Sequence, residues 1–183
     1  MASSKNNKQK SIDKLLTSVG SLIVVLLIVV GSLAWWAYSF TTSNVKSELS
    51  SQKIYFPPKG SPALASPEIG PYLNQYAGQQ LLTGPQAKAY ADHFIAVHLS
   101  EVANGQTYAQ VSTESLANPS NTVLKAQAQT LFQGETLRGL LLGDAYAFWT
   151  VGHIAQITAV VCFIAAGVML ILVILGLAHL ATL

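Results

Sequence analysis

The run Leu22-Ile23-Val24-Val25-Leu26-Leu27-Ile28-Val29-Val30 consists only of branched aliphatic residues. It is the centre of a longer stretch, residues 15–45, that carries no charged side chain. A helix needs about 20 apolar residues to cross a bilayer, and a charge at the bilayer centre costs at least ~2.5–3.5 kcal/mol. Four aromatic residues follow the run, as expected at a membrane–water interface: Trp35, Trp36, Tyr38 and Phe40. The stretch predicts a transmembrane helix at residues 15–40.

A second charge-free stretch begins after Asp144, the last charged residue of the chain. Residues 157–178 are apolar apart from Thr158, and three aromatic residues precede them: Tyr146, Phe148 and Trp149. This pattern predicts a second transmembrane helix at residues 150–178, followed by a short end at residues 179–183.

The composition of the whole chain of 183 residues agrees with two membrane spans. It is 51% hydrophobic and 10% charged with a net charge of +2, whereas soluble domains are roughly 25% charged. These values argue against a soluble globule, a disordered tail or a nucleic-acid-binding domain, and we expect no nucleic-acid partner. The single cysteine, Cys162, rules out an intrachain disulfide and a cysteine-based zinc site.

The first span is expected to remain attached as a signal-anchor. It is longer than the 7–15 residues of a signal-peptide core, and Trp35-Trp36-Ala37 lacks a small-x-small cleavage site. Residues 1–14 form a basic tail with four lysines and one aspartate. The positive-inside rule therefore places both termini in the cytoplasm and residues 41–149 on the outer side of the membrane.

The outer segment has two parts. Six of the seven prolines lie between residues 57 and 85, which predicts irregular, packed chain with one or two helical turns around residues 72–82. A helix is then expected at residues 85–103, capped by Thr83 or Gly84. Its apolar face is expected to include Ala87, Ala91, Phe94, Ile95, His98 and Val102.

Thr107 and Gln110 predict a capping box for a short helix at residues 108–117. Ser120 or Asn121 caps a third helix, which either ends where Asp144 starts a separate span or runs on into the membrane, continuous or kinked at Gly134, Gly139 or Gly143. We favour the second alternative. The fold class is thus an all-α membrane protein. Two transmembrane helices flank a small, mainly helical extracytoplasmic domain with a proline-rich irregular N-terminal part.

Residues suited to catalysis are sparse. His93 and His98 are five positions apart, about 140° around a helix, and do not converge. His98 and Glu101 are spaced to share a ligand, but a third ligand is missing, so we interpret His98 as a packed helical histidine. The sequence contains neither a Gly-x-Ser-x-Gly elbow nor a phosphate-binding loop. We expect no catalytic residue, metal or cofactor.

Two other features point to contacts. Arg138, the only arginine, follows Glu135 by three residues. The pair either meets a lipid headgroup or a partner's carboxylate, or forms an ordinary solvated ion pair. In the second span, five small residues share one stripe: Gly152, Ala155, Ala159, Cys162 and Ala166. Such stripes let helices approach closely in lipid, so this one packs either on the chain's own first span or on another subunit.

Several motifs resemble those of a known family. They are Tyr76-Ala77-Gly78-Gln79-Gln80, Gln86-Ala87-Lys88-Ala89-Tyr90-Ala91, Ile95 with His98, Gly105-x-Thr107-Tyr108-Ala109 and Glu135-Thr136-Leu137-Arg138-Gly139-Leu140-Leu141. Over residues 54–178 the chain resembles actinobacterial two-span membrane proteins of unknown function. Relatives of this kind sometimes carry a ring-opening dioxygenase label, which requires an iron site of two histidines and a carboxylate. His93, His98 and Glu101 do not form that triad, so the resemblance implies topology and no activity. It also implies that the membrane is a bacterial inner (plasma) membrane.

Three functions follow in order of preference. The first is a non-enzymatic accessory, scaffold or assembly subunit of a larger membrane complex, which docks through the second transmembrane helix and the extracytoplasmic helical domain. It is in contact with lipid and with other membrane subunits or its own copies. The second is a membrane-anchored binding module for a lipid or apolar ligand, with a pocket formed by aromatic residues: Tyr55, Phe56, Tyr72, Tyr76, Tyr90, Phe94 and Phe132. The third is a metal-dependent enzyme that uses His98 and Glu101.

Overall fold

Helices account for almost all regular structure in the computed structural model, which describes residues 2–182 and the side chains of residues 9–182. Seven α-helices occur in this part of the chain: α1 (Ala2–Gln52), α2 (Gly70–Leu73), α3 (Gly84–Ala89), α4 (Ala96–Val102), α5 (Tyr108–Ala117), α6 (Thr122–Leu140) and α7 (Phe148–Thr182). Two π-helical segments join neighbouring helices, the first at Tyr90–Ile95 and the second at Leu141–Ala147. Two 3₁₀ turns lie at Pro62–Leu64 and Asn74–Tyr76.

Two helical stretches, Gln9–Gln52 and Thr122–Thr182, are long and apolar enough to cross a membrane. Their most apolar windows are only 17% and 11% buried within the protein. A core helix of a soluble domain buries most of its apolar surface, whereas these two windows leave most of theirs uncovered by the protein itself. The prediction of an all-helical protein with two such helices is confirmed.

The first helix is longer than the predicted span at both ends. It begins within the predicted basic tail and continues past Phe40 to Gln52. No glycine or proline interrupts residues 41–52, so nothing in the local sequence stops the helix there. It ends where Lys53 takes a left-handed conformation, with φ 53°, shortly before Pro57-Pro58.

The chain divides into two compact units. The first combines the residues up to Phe40 with those from Gly152 onward, and the second, here called the middle unit, is Thr41–Val151. The core of the middle unit contains six large side chains that are almost completely buried: Phe56, Leu73, Leu81, Val111, Leu131 and Leu141.

Residues 53–82 of the middle unit are held by backbone hydrogen bonds as well as by apolar contacts. The N–H of Phe56 donates to the carbonyl of Gln79, and the N–H of Leu81 donates to that of Ile54, each at 2.9 Å. These bonds flank a single antiparallel bridge between Tyr55 and Gln80. The bridge brings the two ends of the proline-rich stretch together.

The helix starts follow the capping signals in the sequence. Thr83 and Thr107 each form a capping box with the glutamine three residues later, which confirms the box predicted at Thr107. Of the alternatives left open, Thr83 rather than Gly84 caps α3. Asn121 rather than Ser120 caps α6, with its side chain accepting from two backbone N–H groups.

The predicted helix at residues 85–103 exists, but its buried face differs from the predicted face. The buried residues recur at every fourth position: Ala87, Ala91, Ile95, Leu99 and Ala103. At 3.6 residues per turn a step of four residues overshoots one turn by about 40°, so a straight α-helix does not keep such a stripe on one side. The first π segment unwinds the helix and keeps the stripe aligned. The prediction that Val102 belongs to the apolar face is wrong, because its side chain is exposed.

The third predicted helix runs into the second apolar stretch without a break. Helical structure extends from Thr122 to Thr182. Gly134 and Gly139 lie within α6, whereas Gly143 and Asp144 lie within the second π segment. Asp144 therefore does not cap a separate helix, and the favoured alternative of a continuous helix is confirmed.

Candidate functional site

Four charged side chains from three helical segments meet on the middle unit. Lys88 on α3 donates to the carboxylate of Asp92 in the first π segment, with Nζ 2.5 Å from Oδ2. Arg138 on α6 approaches the other Asp92 oxygen, with Nη2 3.6 Å from Oδ1. The Nη1 atom of Arg138 donates to Glu135 at 3.3 Å. We call these four residues the charge cluster; its Asp92–Arg138 contact links two helical segments far apart in the sequence.

The opposite charges in the cluster stabilise the ionised forms of Asp92 and Lys88. Burial tends to raise the pKa of Asp92, but the hydrogen bond and charge of Lys88 and the charge of Arg138 outweigh it, so this pKa lies below its ordinary value. The hydrogen bond to Asp92 and the negative charge of Asp92 raise the pKa of Lys88. The ammonium of Lys88 also lies 5.3 Å from the ring centre of Tyr146 in the second π segment.

Arg138 and Glu135, predicted to meet a headgroup or a partner, are thus paired within the chain. The Nε atom of Arg138 is buried and has no hydrogen-bond partner among the described residues. With its forked nitrogens on Asp92 and Glu135, the guanidinium connects helices of the middle unit. Contact with an outside carboxylate or headgroup stays a prediction.

Replacing Asp92 by asparagine (Asp92→Asn) is expected to lower the stability of the middle unit by about 1 kcal/mol at pH 7. Because the pKa of Asp92 is lowered in the folded protein, its stabilising effect is present above the unfolded pKa. The effect is lost as the pH falls through the folded pKa. Thermal unfolding of the full chain in mild detergent should therefore show a difference at pH 7 that shrinks below about pH 4.

The matched control for this variant is Glu68→Gln, which removes an exposed carboxylate outside the cluster. It should leave the melting temperature unchanged at both pH values. Equal melting temperatures for the parent protein and Asp92→Asn at pH 7 would mean that the cluster does not stabilise the fold.

The histidines are engaged in local packing. The ring of His93 stacks on Tyr72, with ring centres 3.5 Å apart and planes 3° apart. The Nδ1 atom of His98 lies 2.7 Å from the carbonyl oxygen of Phe94; since a carbonyl only accepts, Nδ1 carries the proton. Glu101, the other weak candidate ligand, is exposed. Among residues 9–182, no three His, Cys, Asp or Glu side chains are grouped to hold a metal ion.

Most of the aromatic residues considered for a ligand pocket instead pack on one another. Phe56 lies between Tyr76 and Tyr90, with ring centres 5.2 Å and 5.4 Å away, and the ring of Tyr90 stacks on Phe94 at 4.8 Å. Burial raises the pKa of the Tyr90 hydroxyl. These rings form part of the core rather than an open cavity, whereas Tyr55, Tyr72 and Phe132 are exposed.

The stripe of small residues on α7 faces α1 within the first unit. Gly152, Ala159 and Ala166 are buried, and Ala155 and Cys162 are half-buried. A Cβ atom added to Gly31 of α1 would lie 3.2 Å from the Cβ of Cys162 and 2.9 Å from Cε1 of Phe163. The two helices therefore approach closely along this stripe, as in the first of the two interpretations.

A groove on the middle unit lies between the last turns of α1 and the junction of α6 with the second π segment. It encloses about 300 Å³. Four buried apolar residues form its floor: Val45, Leu49, Leu141 and Ala145. Glu48 and Asp144 lie at its rim, and both are exposed. We call this feature the acidic groove.

The sequence alone indicates only part of the charge cluster and of the acidic groove. Lys88 and Asp92 are an i, i+4 pair, a spacing that signals an ion pair on a helix. No local pattern relates Asp92 to Arg138, because the two meet only when separate helices pack. For the same reason no local pattern shows that Glu48 and Asp144 line one groove.

The geometry thus contains a structural charge cluster, an aromatic core and an acidic groove. In comparisons with protein-family models, with curated proteins and with solved structures, no match to this chain was found.

Proposed function

We propose that this protein is a non-enzymatic accessory or scaffold subunit of a larger membrane protein complex. Helices α1 and α7 anchor it in a bacterial plasma membrane, in agreement with the low burial of their apolar windows. The basic tail favours cytoplasmic termini and an extracytoplasmic segment at residues 41–149. The middle unit is the part of the chain that meets the partner.

One observation carries this proposal, an exposed apolar surface on the hairpin formed by α5 and α6. Leu116 is 80% exposed and Val123 is 72% exposed, on either side of the turn that joins the helices. The rings of Tyr108 and Phe132, also exposed, lie 5.8 Å apart on the same pair of helices. Val123 and Phe132 are nine positions apart, about 180° around α6, so we give the name hairpin patch to Leu116 and Val123 alone. Exposed apolar side chains at such a turn offer a contact to a partner protein.

The small-residue stripe supports docking through the middle unit rather than through α7. The stripe approaches α1 of the same chain at Gly31 and Cys162, so in this proposal the partner docks on the middle unit. The scarcity of charged residues in the outer segment also supports a contact through the middle unit. Residues 41–149 hold 13 charged side chains in 109 positions, about half the fraction usual in soluble domains.

The double variant Leu116→Gln, Val123→Gln is expected to reduce co-purification of the partner subunit at least fivefold. Loss of two apolar contacts of about 1 kcal/mol each accounts for such a change. The measurement is affinity purification of the full-length chain from its native membranes in mild detergent, with the partner quantified by mass spectrometry.

The control is Tyr55→Gln, which alters another exposed apolar side chain, 58% exposed, outside the hairpin patch. This variant should retain the partner. Purification of the parent chain alone, with no protein at a fixed stoichiometry, would overturn the proposed function. Equal recovery of the partner with both variants would exclude the hairpin patch as the contact.

A further inference from the structure

Two titratable side chains meet at the terminal ends of the long helices of the first unit. The Nε2 atom of His179, in the last turn of α7, lies 3.9 Å from the Oδ2 atom of Asp13 on α1. Both residues belong to the first unit. The Oδ2 atom is buried and accepts no hydrogen bond from the described residues. A buried carboxylate oxygen without a hydrogen bond is unfavourable, so this contact is incomplete at 3.9 Å.

The packing of the two helices brings this pair together. A Cβ atom added to Gly176 of α7 would lie 3.0 Å from Oγ1 of Thr17 on α1. The Thr17 hydroxyl donates to the backbone carbonyl of Asp13 at 2.8 Å. His179 follows Gly176 by three residues, and Asp13 precedes Thr17 by four. Residues at these spacings share one face of a helix, so the pair lies one turn beyond a close approach of α1 and α7.

A cavity of about 210 Å³ lies beside the pair and is lined by both residues. Its walls include three apolar side chains, Leu16, Met169 and Leu172, and apolar surroundings strengthen an ion pair relative to water. Closing the gap from 3.9 Å to the about 2.8 Å of a charge-assisted hydrogen bond takes a movement of about 1 Å. The cavity leaves room for the imidazole to make this movement.

Few other charged groups lie near the pair. Lys10 and Lys14 are within one turn of Asp13 on α1, but among residues 9–182 neither forms an ion pair with it. Helix α7 contains no lysine, arginine, aspartate or glutamate. The nearest other titratable group on α7, Cys162, lies 17 positions before His179, about 25 Å along the helix. Within the described residues, Asp13 is therefore the anion with which a charged His179 pairs.

We propose that Asp13 and His179 form a pH-dependent latch between the terminal ends of α1 and α7. A histidine side chain becomes positively charged as the pH falls from about 8 to about 5. The charged imidazole gives Asp13 an ion pair and a hydrogen bond, and a positive charge is also favoured at a helix C-terminus. When the imidazole is neutral the ion pair is absent, and hydration of the carboxylate favours separation of the two helix ends. The latch closes as the pH falls and opens as it rises.

The test is a distance measurement by double electron–electron resonance on the full-length chain in lipid nanodiscs. Spin labels are attached at two exposed positions near the latch by Ile12→Cys and Ala181→Cys, and Cys162→Ser removes the native thiol. The distribution of distances between the labels should be narrow at about pH 5.5 and about twofold broader at about pH 8. A control pair at the other end of the first unit, Trp36→Cys with Ile154→Cys, should give the same distribution at both pH values.

Variants at the latch separate its response from a general effect of pH. Asp13→Asn and His179→Gln should each give the broad distribution at both pH values, because neither variant can form the ion pair. His179→Lys should give the narrow distribution at both, since a lysine stays charged over this range. The matched control is His153→Gln, which removes another histidine of α7 and should respond to pH as the parent does. Unchanged helix content by circular dichroism establishes that these variants fold.

Three results would overturn the inference. They are a distribution between the Ile12 and Ala181 labels that does not change with pH, a change that persists in Asp13→Asn or His179→Gln, and an equal change in the control pair. The latch lies within the first unit and involves no partner. Its failure would therefore leave the proposed function intact, and purification of the chain without a partner would leave the latch intact.

Discussion

Replacing Phe56 by alanine (Phe56→Ala) is expected to destabilise the middle unit by about 3–5 kcal/mol, the range measured for buried phenylalanines. Phe56 is only 2% exposed and its ring contacts Tyr76 and Tyr90. Removing the ring would leave a cavity between them, and the aromatic pairs would lose their contacts. Because the Phe56 backbone also pairs with Gln79, the loss should loosen the whole of residues 53–82.

Two measurements report this effect. Thermal unfolding in mild detergent should shift by 10 °C or more, at about 4 °C per kcal/mol for a unit of this size. Limited proteolysis should cut first within residues 53–82. The adjacent Tyr55→Ala is the control, since Tyr55 is 58% exposed and should tolerate the change. Similar melting temperatures for the two variants would show that Phe56 is not part of a packed core.

Replacing Gly84 by alanine (Gly84→Ala) is expected to cost at least 1–3 kcal/mol through overpacking. A Cβ atom at Gly84 would collide with Cβ, Cγ and Cδ1 of Trp149. The Cβ of Trp149 is fixed by the backbone and cannot rotate away, so α3 and α7 would have to move apart at this point. The expected result is a melting temperature lower by several degrees.

Gly139 provides a matched control in the same unit. A Cβ atom there meets nothing within 4 Å, and alanine is favoured over glycine inside a helix by about 0.5–1 kcal/mol. Gly139→Ala should therefore raise the melting temperature while Gly84→Ala lowers it. A shift of the same sign in both variants would contradict the close approach at Gly84.

The parts of the fold that depend on one segment could be predicted from the sequence. The two long apolar helices follow from charge-free stretches, and the helix starts follow from threonine, asparagine and glutamine at capping positions. The failure at Val102 has a local cause. Ideal α-helical spacing places Val102 on the apolar face, whereas a π segment changes the rotation per residue and brings Ala103 to the buried side instead.

The candidate sites depend on contacts between segments and were predictable only in part. The small-residue stripe was recognisable on α7, but its pattern does not specify whether the facing helix belongs to the same chain. The pairing of Arg138 with Asp92 likewise arises only after helices pack, and so does the groove that Glu48 and Asp144 line. For each of these residues, the sequence shows the chemical type and the structure supplies the neighbour.

The first π segment has a consequence for how this chain tolerates insertions and deletions. A π segment accommodates one residue more than an α-helix joining the same two ends. Loss of one residue between Tyr90 and Ile95 would convert the segment to α-helix and leave α3 and α4 in place. Loss of one residue from α3 or α4 themselves would rotate Leu99 and Ala103 out of the core. We therefore expect this helix to tolerate a one-residue deletion only within the π segment, which also carries Asp92.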